Sequence, residues 1–386
     1  MIQASPILTN ETNAFGHHTM KVRVPGIIRE VQRQNPDYPA PIQHALDKLH
    51  ADLQSDAAIP PLELPAPDYD NWEQACADHA GATWLNTDWF FAEIYFYRLL
   101  IQAVRWWETG RDPFAPQKAA EVASASLWEV LELALAERER PVEERLTALF
   151  QHTLWGNRID LSHVLVKTHG STWVTDDLLI DDSARALARL LEQRGAVHFI
   201  NDNAGTELAL DLALADALLE TVAERVIFHV KMHPMFVSDA IPADVLAFID
   251  RLEQGSPAAR GLAERLRTAF VAGRFSLAPD LYWNSSRFLW DMPARLTRTF
   301  ERASLVVVKG DLNYRRMTGD ALWPHATPIR DVVNYFPAPL LSLRTLKSDV
   351  VVGLPEGMDA RLDQLDKDWR TNGRRGVIQY VEAARV

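Results

Sequence analysis

Apolar residues recur every three or four places through much of the first 155 positions. Ile42–Leu53, Trp89–Thr109, Pro116–Arg138 and Val142–Trp155 all show this spacing, and each predicts a helix. The proline-rich stretch from Ile59 to Asp70 predicts a connector without regular structure. Near residue 170 the pattern changes. Asp181, Asp182 and Ser183 offer N-caps for a helix running to Arg194, which Gly195 would stop. Short apolar runs then alternate with helical segments. Ala196–Ile200, Arg225–Met232, Ser304–Val308, Leu340–Leu343 and Val350–Leu354 read as buried strands, and Pro242–Glu253 as a helix. After Gly205 the acids Glu207, Asp211, Asp216, Glu220 and Glu224 recur every four or five residues, the acidic side of a helix with Leu and Ala opposite. The expectation is an α/β chain. A mainly helical N-terminal domain (1–170) precedes a three-layer α/β/α domain (171–386) with a mostly parallel central sheet.

In open α/β sheets, ligands bind beyond the carboxyl ends of the strands. Polar clusters follow four expected strands here: Asp202-Asn203, then Asp239, then Asp311 to Arg315, then Arg344 to Lys347. Such clusters would converge on one rim. Two carboxylates and an amide oxygen are hard ligands suited to Mg²⁺ or Mn²⁺. Lys309, Arg315, Arg344 and Lys347 offer a cationic clamp for phosphate oxygens. Taken singly, each cluster has a plainer reading. Asp202-Asn203 suits a turn, Asp239 suits a cap for the helix from Pro242, and Gly205 suits a tight strand-to-helix turn. Arg344 and Lys347 suit surface ion pairs with Asp349 or Glu356. The combination favours a site over four coincidences.

Composition narrows the partners. The net charge of −12 argues against nonspecific binding to nucleic acid or anionic membrane, which needs a cationic surface. The single cysteine, Cys76, excludes an intrachain disulfide and a thiolate metal site. The N-terminus lacks the signature of a secretory signal, and Trp89–Val104 is too short and too interrupted by charge to span a bilayer. The cytoplasm is the expected compartment. His229 and His233 lie four apart but in a strand-like run without a completing glutamate, so they read as structural. The tryptophans of the first half read as helix packing rather than base stacking.

At these motifs the chain resembles the damage-control phosphatases of the former domain of unknown function 89. The matching residues are Asp202-Asn203-Ala204-Gly205-Thr206-Glu207, Phe236-Val237-Ser238-Asp239, Lys309-Gly310-Asp311-Leu312-Asn313-Tyr314-Arg315 and Arg344-Thr345-Leu346-Lys347. The last looks like the Arg-Thr-x-Lys signature of the subfamily with acidic-residue methyltransferase-like proteins. Trp89 to Arg98 and Leu154-Trp155-Gly156-Asn157 also resemble the family, so the likeness runs from about residue 80. It implies a helical domain followed by an α/β/α domain. It implies metal ligation by Asp202, Asn203 and Asp239, with Mn²⁺ first and Mg²⁺, Co²⁺ or Ni²⁺ as other ions. It also implies phosphatase activity on small phosphorylated metabolites, sugar phosphates such as fructose 1-phosphate among them. Asp202, Asn203, Glu207, Asp311, Leu312, Asn313, Tyr314, Arg315 and Lys347 would bind substrate, with Arg344 in the phosphate clamp, and Asp202, Asn203, Asp239 and Asp311 would carry the catalysis. Asp311 or Glu207 would position a nucleophile or move a proton.

The resemblance carries an alternative. Glu207 matches a position assigned to S-adenosylmethionine in a protein-carboxylate (glutamate) methyltransferase. Such enzymes present a glycine-rich loop after the first strand, whereas the turn here has only Gly205 amid acids. The phosphatase expectation is therefore preferred.

Overall fold

A computed structural model of the chain describes residues 4–63, 65–156 and 177–383. Among them a seven-stranded sheet forms from β1 (Leu178–Asp181), β2 (Gly195–Ile200), β3 (Ala223–His229), β4 (Phe275–Leu277), β5 (Ala303–Lys309), β6 (Leu340–Thr345) and β7 (Gly376–Val381). The spatial order is β1-β7-β6-β5-β2-β3-β4. All neighbouring pairs are parallel except β6 with β7. The mostly parallel α/β architecture is thus as expected. The boundary expected at residue 170, and Asn157 of the Leu154–Asn157 motif, lie outside the described residues.

Helices that pack on the sheet explain how it is covered. The helices used below are α1 (Val24–Gln34), α2 (Ala40–Gln54), α3 (Trp89–Ala103), α4 (Ala115–Val122), α5 (Ala125–Ala136), α6 (Val142–Trp155), α7 (Ser183–Glu192), α8 (Thr206–Thr221), α9 (Pro242–Leu252), α10 (Pro257–Val271) and α11 (Gly310–Thr318). One core joins α5, α6, α7, α8, α9 and α10 to one face of the sheet through residues such as Leu131, Phe150, Leu210, Val226 and Leu305. A second joins α1, α2 and α3 to Val306, Val308 and Leu340 on the other face. Alternating residues of β5 therefore serve different cores, as a strand covered on both sides requires.

Several sequence expectations need correction. The acids of α8 do not form a solvated face. Glu207, Asp211 and Asp216 are buried, Glu220 pairs with Arg145, and Glu224 belongs to β3 rather than to the helix. Helices on several sides enclose α8, so its acids survive only by pairing, Asp216 with Arg265 at 2.8 Å for one. Val350–Leu354 is not a strand. It is buried, which gives it an apolar pattern, but Gly353 and Leu354 donate to the loop carbonyls of Thr327 and His325. The long helices expected at Trp89–Thr109 and Pro116–Arg138 are each broken, at Val104-Arg105 and at Ala123-Ser124; Arg105 takes a left-handed backbone and Ser124 caps α5.

Candidate active site

Strand order reverses between β2 and β5. From β2 the chain proceeds outward to β3 and β4, and from β5 it proceeds the other way to β6. The helices leaving such a pair diverge and open a crevice at the strand ends. Asp202 follows β2, and Asp311 opens the helix after β5. The segment holding Asp239 follows β3, and Lys347 follows β6. The four expected polar clusters therefore do meet at one end of the sheet.

Backbone bonds join the first two clusters tightly. Ala240 N donates to Asp202 O at 2.8 Å, Ala204 N to Ser238 O at 2.7 Å, and Asn203 pairs with Asp239 across a bridge. The intervening turn places Phe236 and Val237 at φ 46° and 68°, a conformation that costs non-glycine residues energy and recurs at functional sites. Asp239 does not cap the following helix, a role taken by Ile241 with the Asp244 carboxylate on its N–H at 3.0 Å.

Side chains then fix the orientation of Asn203. Its Nδ2 donates to Asp202 Oδ2 and to Glu207 Oε2, both at 3.0 Å. Ser238 Oγ donates to its Oδ1 at 2.6 Å. Glu207 is held in turn by Lys309 at 3.1 Å, and Lys309 also meets Asp211 at 3.0 Å and donates to Thr153 O at 2.8 Å. Lys309 is thus committed inside the protein and does not face a ligand. Helix α4 grips both halves from the helical side. Lys118 Nζ donates to Asp239 O at 3.0 Å and Asp244 at 2.7 Å, while Glu121 accepts from Thr206 N at 2.8 Å at the start of α8. A carboxylate at a helix N-terminus satisfies an orphan N–H and favours the dipole.

On the other side of the crevice, Asp311 is over-determined. Arg344 Nε (2.8 Å), Ser348 Oγ (3.1 Å) and the Lys347 backbone N–H (3.2 Å) all reach its Oδ1. Arg344 also donates to the carbonyls of Val350 and Ser348 and stacks on Tyr314. The expected free phosphate clamp is therefore reduced. Arg344 holds Asp311 in place. Arg315 donates to Glu93 and Asp320, both at 2.7 Å, with its guanidinium over Trp89 at 3.6 Å. Asn313 donates to the carbonyls of Asn201 and Lys309, and the Tyr314 hydroxyl bonds Gln379 and Val352. Asp311–Arg315 is the first part of α11, not a loop.

These groups surround a cavity of about 140 Å³ lined by Asp202, Asn203, Ser238, Asp239, Asp311, Leu312, Arg315 and Lys347. Glu207, Asn313, Tyr314 and Arg344 stand behind its wall and are buried. Sequence reasoning missed Lys231, whose Nζ is 3.4 Å from Asp239 Oδ2, because it sits in an apolar run that reads as strand. It also missed Phe15, Arg23, Trp89, Glu93 and Phe236, which complete the lining. For Trp89, Glu93 and Phe236 a signal existed, since they lie within segments that resemble the family.

The electrostatics are those of crowded buried acids. Burial raises Asp202 well above the usual carboxylate range, and Glu207 and Asp239 add repulsion. Burial also raises Asp239, to about 6, against the pull of Lys231. Asp311 goes the other way. Burial disfavours its charge, but Arg344 and Arg315 outweigh that and hold it below its ordinary value. Asp239 Oδ2 is buried and receives no well-aligned hydrogen bond. Among the described residues no three His, Cys, Asp or Glu side chains form a metal cage; Asp202, Asn203 and Asp239 could offer an ion two carboxylates and one amide oxygen. Two buried carboxylates that repel each other, with an amide oxygen on the same cavity, are a set that fits a divalent cation.

A family model described as the damage-control phosphatase ARMT1-like domain matches residues 19–362. The chain belongs to the ARMT1-like damage-control phosphatase family. Relatives named damage-control phosphatase ARMT1 include the zebrafish protein, 30% identical over 378 residues, covering 87% of this chain and 84% of that one. The human protein of that name is 28% identical, covering 87% and 85%. In structure the chain is similar to a DUF89 family protein of Pyrococcus horikoshii, with TM-score 0.50, 13% identity, and coverage of 93% of this chain and 97% of that one. The family match begins at residue 19, well before the point near 80 where the motifs become legible, so the early helices belong to the ARMT1-like unit. No helix of the described residues is long and apolar enough to cross a membrane.

Proposed function

We propose that this ARMT1-like chain hydrolyses small phosphate esters with a divalent metal, sugar phosphates such as fructose 1-phosphate being the expected class and Mn²⁺ the first ion to test. The observation that carries the reading is the convergence of Asp202, Asn203 and Asp239 on one cavity at the switch point, where Asp239 Oδ2 is buried and met by the Lys231 ammonium at 3.4 Å. Asp202, Asn203 and Asp239 would hold the ion. A cation there would offset the charge of the ester and of the two buried acids.

The protein residues take distinct roles. Lys347, at the end of the Arg-Thr-x-Lys segment, binds the phosphate as a point charge. Asp311, kept ionised by Arg344 and Arg315, can accept a proton or orient a nucleophile but cannot donate a proton near neutrality. Glu207 and Lys309 act one step back, holding the Asn203 amide nitrogen while its oxygen accepts from Ser238. Arg315 and Arg344 serve as struts for the wall rather than as the clamp itself.

Asp202→Ala and Asp239→Ala test the assignment in assays of phosphate release from sugar phosphates with Mn²⁺. Turnover should fall by at least about a hundredfold in both. Undiminished metal-stimulated turnover in both variants would sink it.

A further inference from the structure

The anion-binding side of the cavity is depleted by internal pairing. Arg315 is engaged by Glu93 and Asp320, Arg344 by Asp311, Lys309 by Glu207 and Asp211, and Lys231 lies against Asp239. A phosphate dianion needs more than one cation, and a guanidinium is the group that matches its oxygens best.

Arg23 meets that need. It lines the cavity, it is exposed, and no carboxylate among the described residues lies within ion-pair distance of it. It closes a five-residue π-helix, Thr19–Arg23, in which the Val24 N–H reaches back to Thr19 O. Such segments are rare and are frequently found at functional sites. Phe15, from the short helix just before, lines the same cavity, with Trp89 and Phe236 beside it. Arg23 is also close enough to Lys347 to oppose its protonation, adding to the effect of burial.

We propose that Arg23 is a substrate-binding residue that takes the phosphate group at the cavity mouth together with Lys347. The assignment rests on the phosphatase reading of this site. It gives the segment before residue 80 a direct part in recognition, with Arg23 supplying an exposed guanidinium and Phe15 an apolar wall for the rest of the ester.

Arg23→Ala and Arg23→Lys, compared with the unaltered chain, test this. The change lies at an exposed side chain, so folding should be kept, which circular dichroism and a melting curve would verify. For Arg23→Ala, KM for a phosphate ester should rise about tenfold, with kcat changed much less, and inhibition by inorganic phosphate should weaken by a similar factor. Arg23→Lys should recover part of the loss, because it restores charge without the planar fork. The dependence of KM on salt should be shallower in Arg23→Ala. Unchanged KM and unchanged phosphate inhibition in Arg23→Ala would overturn the proposal. If the unaltered chain hydrolyses no ester with any divalent metal, the phosphatase reading fails on its own. Calorimetry with inorganic phosphate then decides Arg23: weaker binding by Arg23→Ala supports it, and equal binding, or none by either protein, overturns it.

Discussion

Gly310 lies directly against the carboxylate of Asp202, at the point where the two central strands end side by side. Its φ is +76°, and a Cβ built there would overlap the Asp202 side chain. Both constraints ask for glycine at the first position of α11. Asp202 and Asp311 thus owe their closeness to the absence of one side chain.

Gly310→Ala should therefore damage the site more than the fold. Backbone strain of this kind costs about 1–3 kcal/mol. A displacement of Asp202 by about 1 Å would lower turnover by about a hundredfold. Thermal or urea unfolding beside a phosphate-release assay separates the two effects. Full activity in Gly310→Ala would show that the close approach does not matter.

The buried acids predict a trade between stability and function. Asp202 and Asp239 have raised pKa values because burial disfavours their charge. A raised carboxylate binds its proton more tightly in the native state. Its stabilising contribution is present at low pH and is lost as pH rises from the unfolded value of 3.8 through the folded value, about 6 for Asp239. At pH 8 both acids are thus a burden on the metal-free protein. Asp202→Asn should stabilise that form at pH 8 while abolishing the rise in melting temperature that Mn²⁺ gives the unaltered chain. A destabilised metal-free Asp202→Asn protein would contradict this account.

What the sequence revealed depended on how each residue is held. β2, β5 and β6 were legible because central parallel strands are covered on both faces, so their apolar runs are nearly unbroken. The rim clusters were legible because Asp202, Asp239, Asp311 and Lys347 interrupt such runs. β7 was not, since Gln379 and Tyr380 break its apolar pattern, and β4 is only three residues long. Arg23 lay beyond reach for a different reason. Its place at the cavity depends on a π-helix and on how the early helices fold back, neither of which leaves a local signature. The commitments of Arg315 and Lys309 were equally hidden, because their partners Glu93 and Asp211 are far off in sequence or on another helix.

His198 and His229 carry the last prediction. They face each other from β2 and β3, with His198 Nδ1 2.9 Å from His229 Nε2, and Phe300 and Trp283 pack around them. Burial depresses both, His198 to about 4 with help from Arg225, and His229 to about 3 with help from His198. Depressed histidines bind fewer protons in the native state than in the unfolded chain. The stability they allow is complete above the ordinary value of 6.5 and falls as pH drops from there toward 4 and 3. Each contributes a slope of about 1.4 kcal/mol per pH unit inside that window. Buried Asp211, raised to about 7, and Asp239 act in the opposite sense, so the total profile mixes both signs. The contribution of the pair is isolated by difference. A double variant with His198→Leu and His229→Leu should gain on the unaltered chain steadily between pH 6.5 and pH 4 in urea titrations. A difference that stays flat across that range would mean the pair is already protonated, or free to part, in the native protein.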